Sequence, residues 1–255
     1  FIADSRTGFV INGSQQQYIV RNSSIGGWSN AVWNQVFAGV QGAPAQTFPS
    51  PPYTTLATTP VSREKPYLYV DAEGTYNVFV PDARTDTSGT TWETGPTAGE
   101  SIPLSDFFLA RPSDSVKTIN MELARGKHLL LTPGVYDVDR SISVKRSDTV
   151  VLGIGVATLT AVDGAVPMRV ADVKGVDVAG LMIDAGTVNS PLLMQVGTPH
   201  AKKSDPSDPT TLHDVFFRIG GPHVGRATVS LEVNSDNVLL DHIWAWRADH
   251  GVPGS

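Results

Sequence analysis

The residues with the most chemical potential crowd toward the C-terminal end. The stretch DNVLLDHIWAWRADHG, residues 236–251, starts as apolar residues between polar ones and then brings Trp244, Trp246, Arg247, Asp249 and His250 together. On a strand, Trp244 and Trp246 alternate and share a face. Paired indole rings with acid, imidazole and guanidinium groups nearby suit a sugar, whose ring faces are apolar and whose rim is hydroxylated. The other reading is structural: large aromatics fill buried interfaces, and Asp249 can order a turn.

A second set of polar residues emerges from alternation. In ATVSLEV, residues 227–233, Val229, Leu231 and Val233 alternate with Thr228, Ser230 and Glu232. In SPLLMQVG, inward Leu192, Met194 and Val196 leave Gln195 outward, and NVLLDH likewise leaves Asp241 outward. Gln195, Ser230, Glu232 and Asp241 can thus form a polar patch across neighbouring strands; equally, outward positions are polar because they meet water. The glutamates are Glu64, Glu73, Glu93, Glu100, Glu122 and Glu232, and none sits in a motif that marks an acid catalyst. The pair Lys145–Arg146 suits proton abstraction beside a uronate, but that chemistry needs calcium-binding carboxylates close by, and none cluster there. Asp205 and Asp208 in SDPSDPTT offer carboxylates for calcium, but a Pro-Ser-Asp loop reads first as turn residues. Gly153 and Gly155 lack the helix that a phosphate loop requires. No metal site and no cofactor is expected.

The scaffold for these residues is bounded by composition. A chain of 255 residues, 40% hydrophobic and 17% charged, can bury one large or two small cores. A net charge of -6 argues against nucleic acid as a partner. No apolar run approaches the ~20 residues of a membrane helix. With no cysteine, disulfides, zinc–thiolate sites and thiol nucleophiles are all excluded. The chain begins at Phe1 rather than Met, which fits removal of a signal peptide or another cut; Asn12 and Asn22 lie in three-residue glycosylation sequons, which are common by chance.

Three stretches superimpose. In SDTVVLGIG, VKGVDVAGLMI and SDNVLLDHIWAW, Val150, Val176 and Val238 coincide, as do Leu152, Val178 and Leu240. The second interval is long enough for another turn plus an insertion, visible as TPHAKKSDPSDPTTLHD, residues 198–214. A recurring strand–turn unit of roughly 20–50 residues is the mark of a solenoid. The pattern predicts an all-β chain: a right-handed parallel β-helix over residues 119–255, preceded over residues 1–118 by an irregular region of short strands with one or two short helices. A jelly roll or β-sandwich is the alternative. QYIVRN, KPYLYVDA and YNVFVPDA read as strands. The spacing of Val32, Val36, Phe37 and Val40 predicts a helix over residues 29–40, and residues 113–127 a second one, capped by Ser113 and stopped by Gly126. Residues 1–118 show no repeat.

The segment HLLLTPGVYDVDRSISVKRSDTVVLGIG, with TPGVY at Thr132–Tyr136, resembles the opening coils of the pectate-lyase-like β-helix superfamily. GLMIDAG at Gly180–Gly186 and WAWRADHG at Trp244–Gly251 make the chain most similar to the family 55 glycoside hydrolases, the laminarinases or exo-β-1,3-glucanases. The resemblance covers Lys127 to Gly251. It implies two β-helical domains with a sugar cleft between them and inverting hydrolysis of a polysaccharide, with a glutamic acid as general acid. That acid would lie outside this chain, in a C-terminal remainder present as a second domain or chain, so this chain would be the N-terminal portion of a secreted enzyme. Residues 1–118 would then complete the second β-helix. By the same analogy Gln195 and Ser230 would hold the attacking water or a sugar hydroxyl, and Glu232, Asp241, Trp244, Trp246, Asp249 and His250 would contact substrate. A polysaccharide lyase on the same scaffold, or a non-catalytic glycan-binding module, are the competing functions.

Overall fold

The protein is described here from a computed structural model, which covers residues 1–201, 205–248 and 251–253. The chain forms two compact units, Phe1–Glu64 with Pro81–Glu100, and Lys65–Val80 with Ser101–Ser255. The chain path therefore passes between the units three times, where the sequence suggested one boundary after residue 118.

The second unit is a parallel β-helix whose coils have three sides. The first side stacks Phe107–Ala110, His128–Leu131 and the leading parts of Val150–Ala161, Asp177–Asp184, Thr210–Ile219 and Val238–Arg247, all parallel. The second side consists of the trailing parts of those four long strands, with Val135–Val138 beneath them. The third stacks Ile142–Val144, Met168–Val170, Ser190–Val196 and Ala227–Val233. Where the long strands turn from first side to second, Gly180, Asp214 and His242 occupy equivalent positions, and all have positive φ (72°, 50° and 59°). A left-handed residue turns a strand sharply, and glycine, aspartate and histidine tolerate that region better than branched residues do.

Each side feeds one core. Leu129, Val151, Val178 and Leu212 stack on the first side, Leu159, Ile183 and Phe217 on the second, and Ile142, Met168 and Met194 on the third; all are buried in a single cluster. Helix Val116–Ala124 buries Val116, Ile119 and Leu123 against the same cluster. The helix is shorter than expected at its start. Ser115, not Ser113, is its cap, accepting from Thr118 N at 3.1 Å; Gly126, with φ 96°, follows its end as expected.

The expected ladder holds in its upper coils and slips by one residue in the lowest. Val178, Leu212 and Leu240 share a column, but Val178 stands over Val151, so Val150 and Leu152 point the other way. Both are nonetheless buried, in a separate cluster with Leu130, Phe107, Val78 and Val80. Strand Tyr76–Pro81 thus contributes apolar cover to what would otherwise be an outer face. With both faces apolar, VVLGIG carries no alternation from which register could be read. The long interval does contain the extra turn, strand Thr210–Ile219, which begins inside the stretch expected to be insertion.

The first unit also stacks in parallel, a repeat the sequence did not disclose. Ile2–Ala3, Tyr18–Arg21, Gln35–Ala38 and Tyr53–Leu56 form one parallel sheet, and Arg6–Ile11 pairs with Ser24–Ser29 in another. The helix expected over residues 29–40 is absent: residues 35–38 are a strand, with Phe37 fully buried between parallel neighbours. The spacing of the valines mimicked a helix, but Phe37 and Val40 meet the core from an extended chain, while Val32 is exposed. Both sequon asparagines are buried; Asn12 donates to Gln35 Oε1 at 2.7 Å and Asn22 to Thr87 Oγ1 at 2.8 Å.

Candidate functional site

The third side of the β-helix carries a polar row on its outer face. Ser143, Arg169, Gln195 and Glu232 occupy one column on four successive coils, each flanked by residues of the inner column, in the triplets ISV, MRV, MQV and LEV. Arg169 Nη1 donates to Gln195 Oε1. Gln195 Nε2 donates to Glu232 Oε1 at 2.8 Å, and Asn234 Nδ2 donates to the same oxygen at 2.6 Å while also reaching the Gly197 carbonyl at 3.0 Å. The hydrogen bonds from Asn234 and Gln195, with the Arg169 charge nearby, hold the Glu232 carboxyl below the usual carboxylate range, against a smaller opposing effect of burial. A carboxylate held ionised is a poor proton donor and a good acceptor for a hydroxyl or a water.

Of the sequence-derived candidates, Gln195 and Glu232 are therefore in contact. Ser230 lies two residues before Glu232 on strand Ala227–Val233, partly exposed. Asp241 is not on this side. It belongs to the first side, stacked over His213, with His213 Nδ1 at 3.5 Å from its carboxylate. Single-strand alternation placed it with Gln195 because it treats every strand as one flat face, whereas the coil has three. His213 is buried, 3% exposed, and its Nε2 has no hydrogen-bond partner among the described residues. At the corner beside it, Asp214 is 2.6 Å from His242 Nδ1 and 2.5 Å from Lys65 Nζ.

Trp244 and Trp246 stand on the outer face of the second side. Their rings stack, with centroids 5.7 Å apart and planes 4° from parallel, and Trp244 is 54% exposed. In the coil below, Phe216 stands under Trp244 and Arg218 under Trp246. Gly221 makes room for the ring: a Cβ there would lie 3.0 Å from Trp246 ring carbons. Arg218 makes a two-pronged pair with buried Asp184 (3.1 Å from Nε, 2.5 Å from Nη2), and His223 Nε2 approaches the same carboxylate at 3.0 Å. The result is a flat aromatic platform beside fixed polar groups; the shared face of Trp244 and Trp246 is the one the sequence suggested, while the polar groups beside it are others. Asp249 and His250 lie outside the described residues.

Sequence reading missed Arg169, Asn234, Asp184, Arg218 and His223. The signal for Arg169 was present: MRV and MQV are the same triplet with one residue changed. The Lys145–Arg146 pair lines a cavity of about 390 Å³ with Asn120, Leu123, Thr149 and Ser143, the lowest member of the row. Arg146 Nη2 donates to the Gly126 carbonyl at 2.9 Å, just past the C-terminal end of the helix, a position that favours a cation for structural reasons.

Three comparisons bear on this site. Residues 107–255, more than half of the chain, match the model of the LAM55 pectate lyase-like domain. An exo-beta-1,3-glucanase from Streptomyces sp. (strain SirexAA-E / ActE) is 54% identical over 252 residues, which is 98% of this chain and 42% of the relative. The solved structure of sacteLam55A from Streptomyces sp. SirexAA-E matches with a TM-score of 0.94 at 54% identity, over 98% of this chain and 46% of that one. A variant of sacteLam55A in complex with glucose matches at 0.95 and 53% identity, over 100% and 46%. This chain thus spans less than half the length of the relatives it matches. The stacked three-sided coils and the match over most of them lead to one conclusion: the chain belongs to the LAM55 pectate lyase-like domain family of the laminarinase-type family 55 glycoside hydrolases.

Proposed function

We propose that this chain is the N-terminal, sugar-binding portion of a secreted exo-acting glycoside hydrolase that cleaves β-1,3-glucan with inversion. The observation that carries the reading is the outward row on the third side: an ionised Glu232 held by Gln195 and Asn234. The identity to an exo-beta-1,3-glucanase across nearly the whole chain supports the substrate class.

Inverting hydrolysis needs an acid on one side of the glycosidic bond and, on the other, a base that holds water. Glu232 and Gln195 supply acceptors and donors for a water or a sugar hydroxyl, with Ser230 on the same strand. Trp244 and Trp246 supply a flat apolar surface for a pyranose ring. Proton donation to the leaving oxygen needs a carboxyl whose pKa is raised; the depressed carboxyl of Glu232 does not fit that role. The general acid therefore belongs to sequence beyond this chain, a reading supported by the relatives' greater length. Secretion suits an enzyme whose substrate is a polymer too large to enter a cell.

The competing lyase reading needs Lys145 and Arg146 beside calcium-binding carboxylates. Among the described residues no three His, Asp or Glu side chains converge in a metal-binding group, and Arg146 is engaged at the helix end. Incubation with laminarin tests the proposal. The intact enzyme is expected to release α-glucose, seen by NMR before mutarotation, and the isolated chain to release none. Ultraviolet-absorbing unsaturated products would replace hydrolysis with elimination, and full activity of the isolated chain would remove the need for an acid elsewhere.

A further inference from the structure

We infer that Arg169 is a positioning residue, setting the side-chain amide of Gln195 so that its N–H groups face Glu232 and the substrate side of the row; the inference rests on the glucan-hydrolase reading above. An amide side chain has a donor end and an acceptor end, and a half-turn about its last bond exchanges them. Arg169 is cation and donor only, so its Nη1 selects the oxygen end of Gln195. The nitrogen end is thereby committed to Glu232, 2.8 Å away. The opposite orientation would set an amide N–H against the guanidinium and an amide oxygen against a carboxylate, both repulsive.

The relay has a second consequence. Gln195 and Asn234 both donate to Oε1 of Glu232. Oε2 remains the acceptor for an incoming hydroxyl or water, and the carboxylate cannot rotate without breaking both bonds. Gln195 is itself buried, at 8% exposure, so it is confined between its neighbours in the column. Arg169 touches no reacting atom in this scheme. It acts on the neighbouring coil, and Gln195 carries the effect to the next.

The test is a double-mutant cycle on the intact enzyme with laminarin as substrate. Arg169→Met is expected to lower kcat by about tenfold or more, with KM changed less than about threefold, because misorientation affects the reacting geometry more than the apolar binding surface. Arg169→Lys, which keeps a charged donor, is expected to recover part of the loss. In a Gln195→Ala background Arg169→Met should have no further effect, since residues acting through one another are not additive. Wild-type kcat for Arg169→Met, or full additivity with Gln195→Ala, would overturn the inference. If Arg169→Met does not fold, Arg169→Lys carries the cycle with the same criterion. If the wild-type protein leaves laminarin intact, the hydrolase reading fails instead. The relay is then decided by the Gln195 side-chain amide resonances in the isolated chain: a shift in Arg169→Lys supports it, and unchanged resonances refute it.

Discussion

In the unit made of Phe1–Glu64 and Pro81–Glu100, stacked partners are 17 or 18 residues apart, as in Ile2–Val20, Val20–Phe37 and Phe37–Thr55. Its core is largely aromatic: Trp28 meets Tyr18 at 5.4 Å and Phe37 at 5.2 Å between ring centroids, and Phe37 meets Tyr53 at 6.0 Å. In the unit of Lys65–Val80 and Ser101–Ser255 the steps are longer and uneven, as in Val151–Val178, Val178–Leu212 and Leu212–Leu240, and the buried core is aliphatic apart from Phe107, Tyr136 and Phe217. A short coil encloses a narrow cross-section that a few rings can fill. A longer coil has three sides, and each side adds an outer column that the core does not use. Ser143, Arg169, Gln195 and Glu232 occupy one such column, and Met182, Phe216 and Trp244 another. Longer coils therefore create the outer surface on which the site is built.

The comparison can be broken most forcefully in the two cores. Phe37→Ala and Phe217→Ala each remove a ring that is fully buried, and each is expected to cost about 3–5 kcal/mol. Hydrogen exchange should show accelerated opening confined to the unit that carries the change; equal opening of both units would mean that they are not separate cooperative bodies. At the corner of the three-sided coil, Gly180 has φ 72°, and an added Cβ would lie 2.4 Å from the Gly153 carbonyl oxygen. Gly180→Ala should therefore destabilise the β-helix by about 2–3 kcal/mol in urea titrations; a neutral outcome would show that the corner is not so tightly fixed.

Acid provides a finer distinction, because His128 lies in the longer-coiled unit. Burial, and secondarily the Arg146 charge, lowers its pKa to about 4 from the usual 6.5. Its Nδ1 accepts from Val150 N at 3.0 Å. Folding favours the neutral ring, so this contribution is complete above pH 6.5 and is lost as pH falls from 6.5 toward 4. Allowing for solvent screening, about 1–2 kcal/mol is at stake. His128→Asn keeps an acceptor that does not titrate and should flatten the stability profile across that window; an unaltered slope would assign it to other groups. The smallest effect on stability is expected at the platform. Trp244→Ala should leave stability within about 0.5 kcal/mol, since the ring is exposed, yet weaken laminari-oligosaccharide binding by about tenfold in calorimetry. Unchanged affinity would remove Trp244 from the sugar surface.

How much could be read from sequence follows the same division. The upper coils were legible because Val178, Leu212 and Leu240 recur in one column, of which Val178 and Leu212 lie in the core, and the strands QYIVRN, KPYLYVDA and YNVFVPDA were legible from their branched and aromatic residues. The first unit's repeat was hidden because it falls just below the usual solenoid period and its stacked positions change type, from Val20 to Phe37 to Thr55. The slip at Val150 arose because strand Tyr76–Pro81, distant in sequence, makes both faces of VVLGIG apolar. Gln195 and Glu232 were placed together correctly by alternation, whereas Asp241 was assigned to the wrong side because alternation carries no information about corners.

The amino-acid sequence by itself determined that residues 119–255 would stack short strands around a mainly aliphatic interior, and which residues of the third side's strands would face outward. Both follow from the spacing of apolar side chains along a pleated chain, which is a local property. Only the tertiary structure decided the register of the lowest coil, the placing of Asp241 on the first side and Gln195 on the third, and the order in which Arg169, Gln195 and Glu232 hold one another. Those depend on which coil lies above which, and hydrogen bonds between residues 26 and 37 positions apart exist only once the coils have closed.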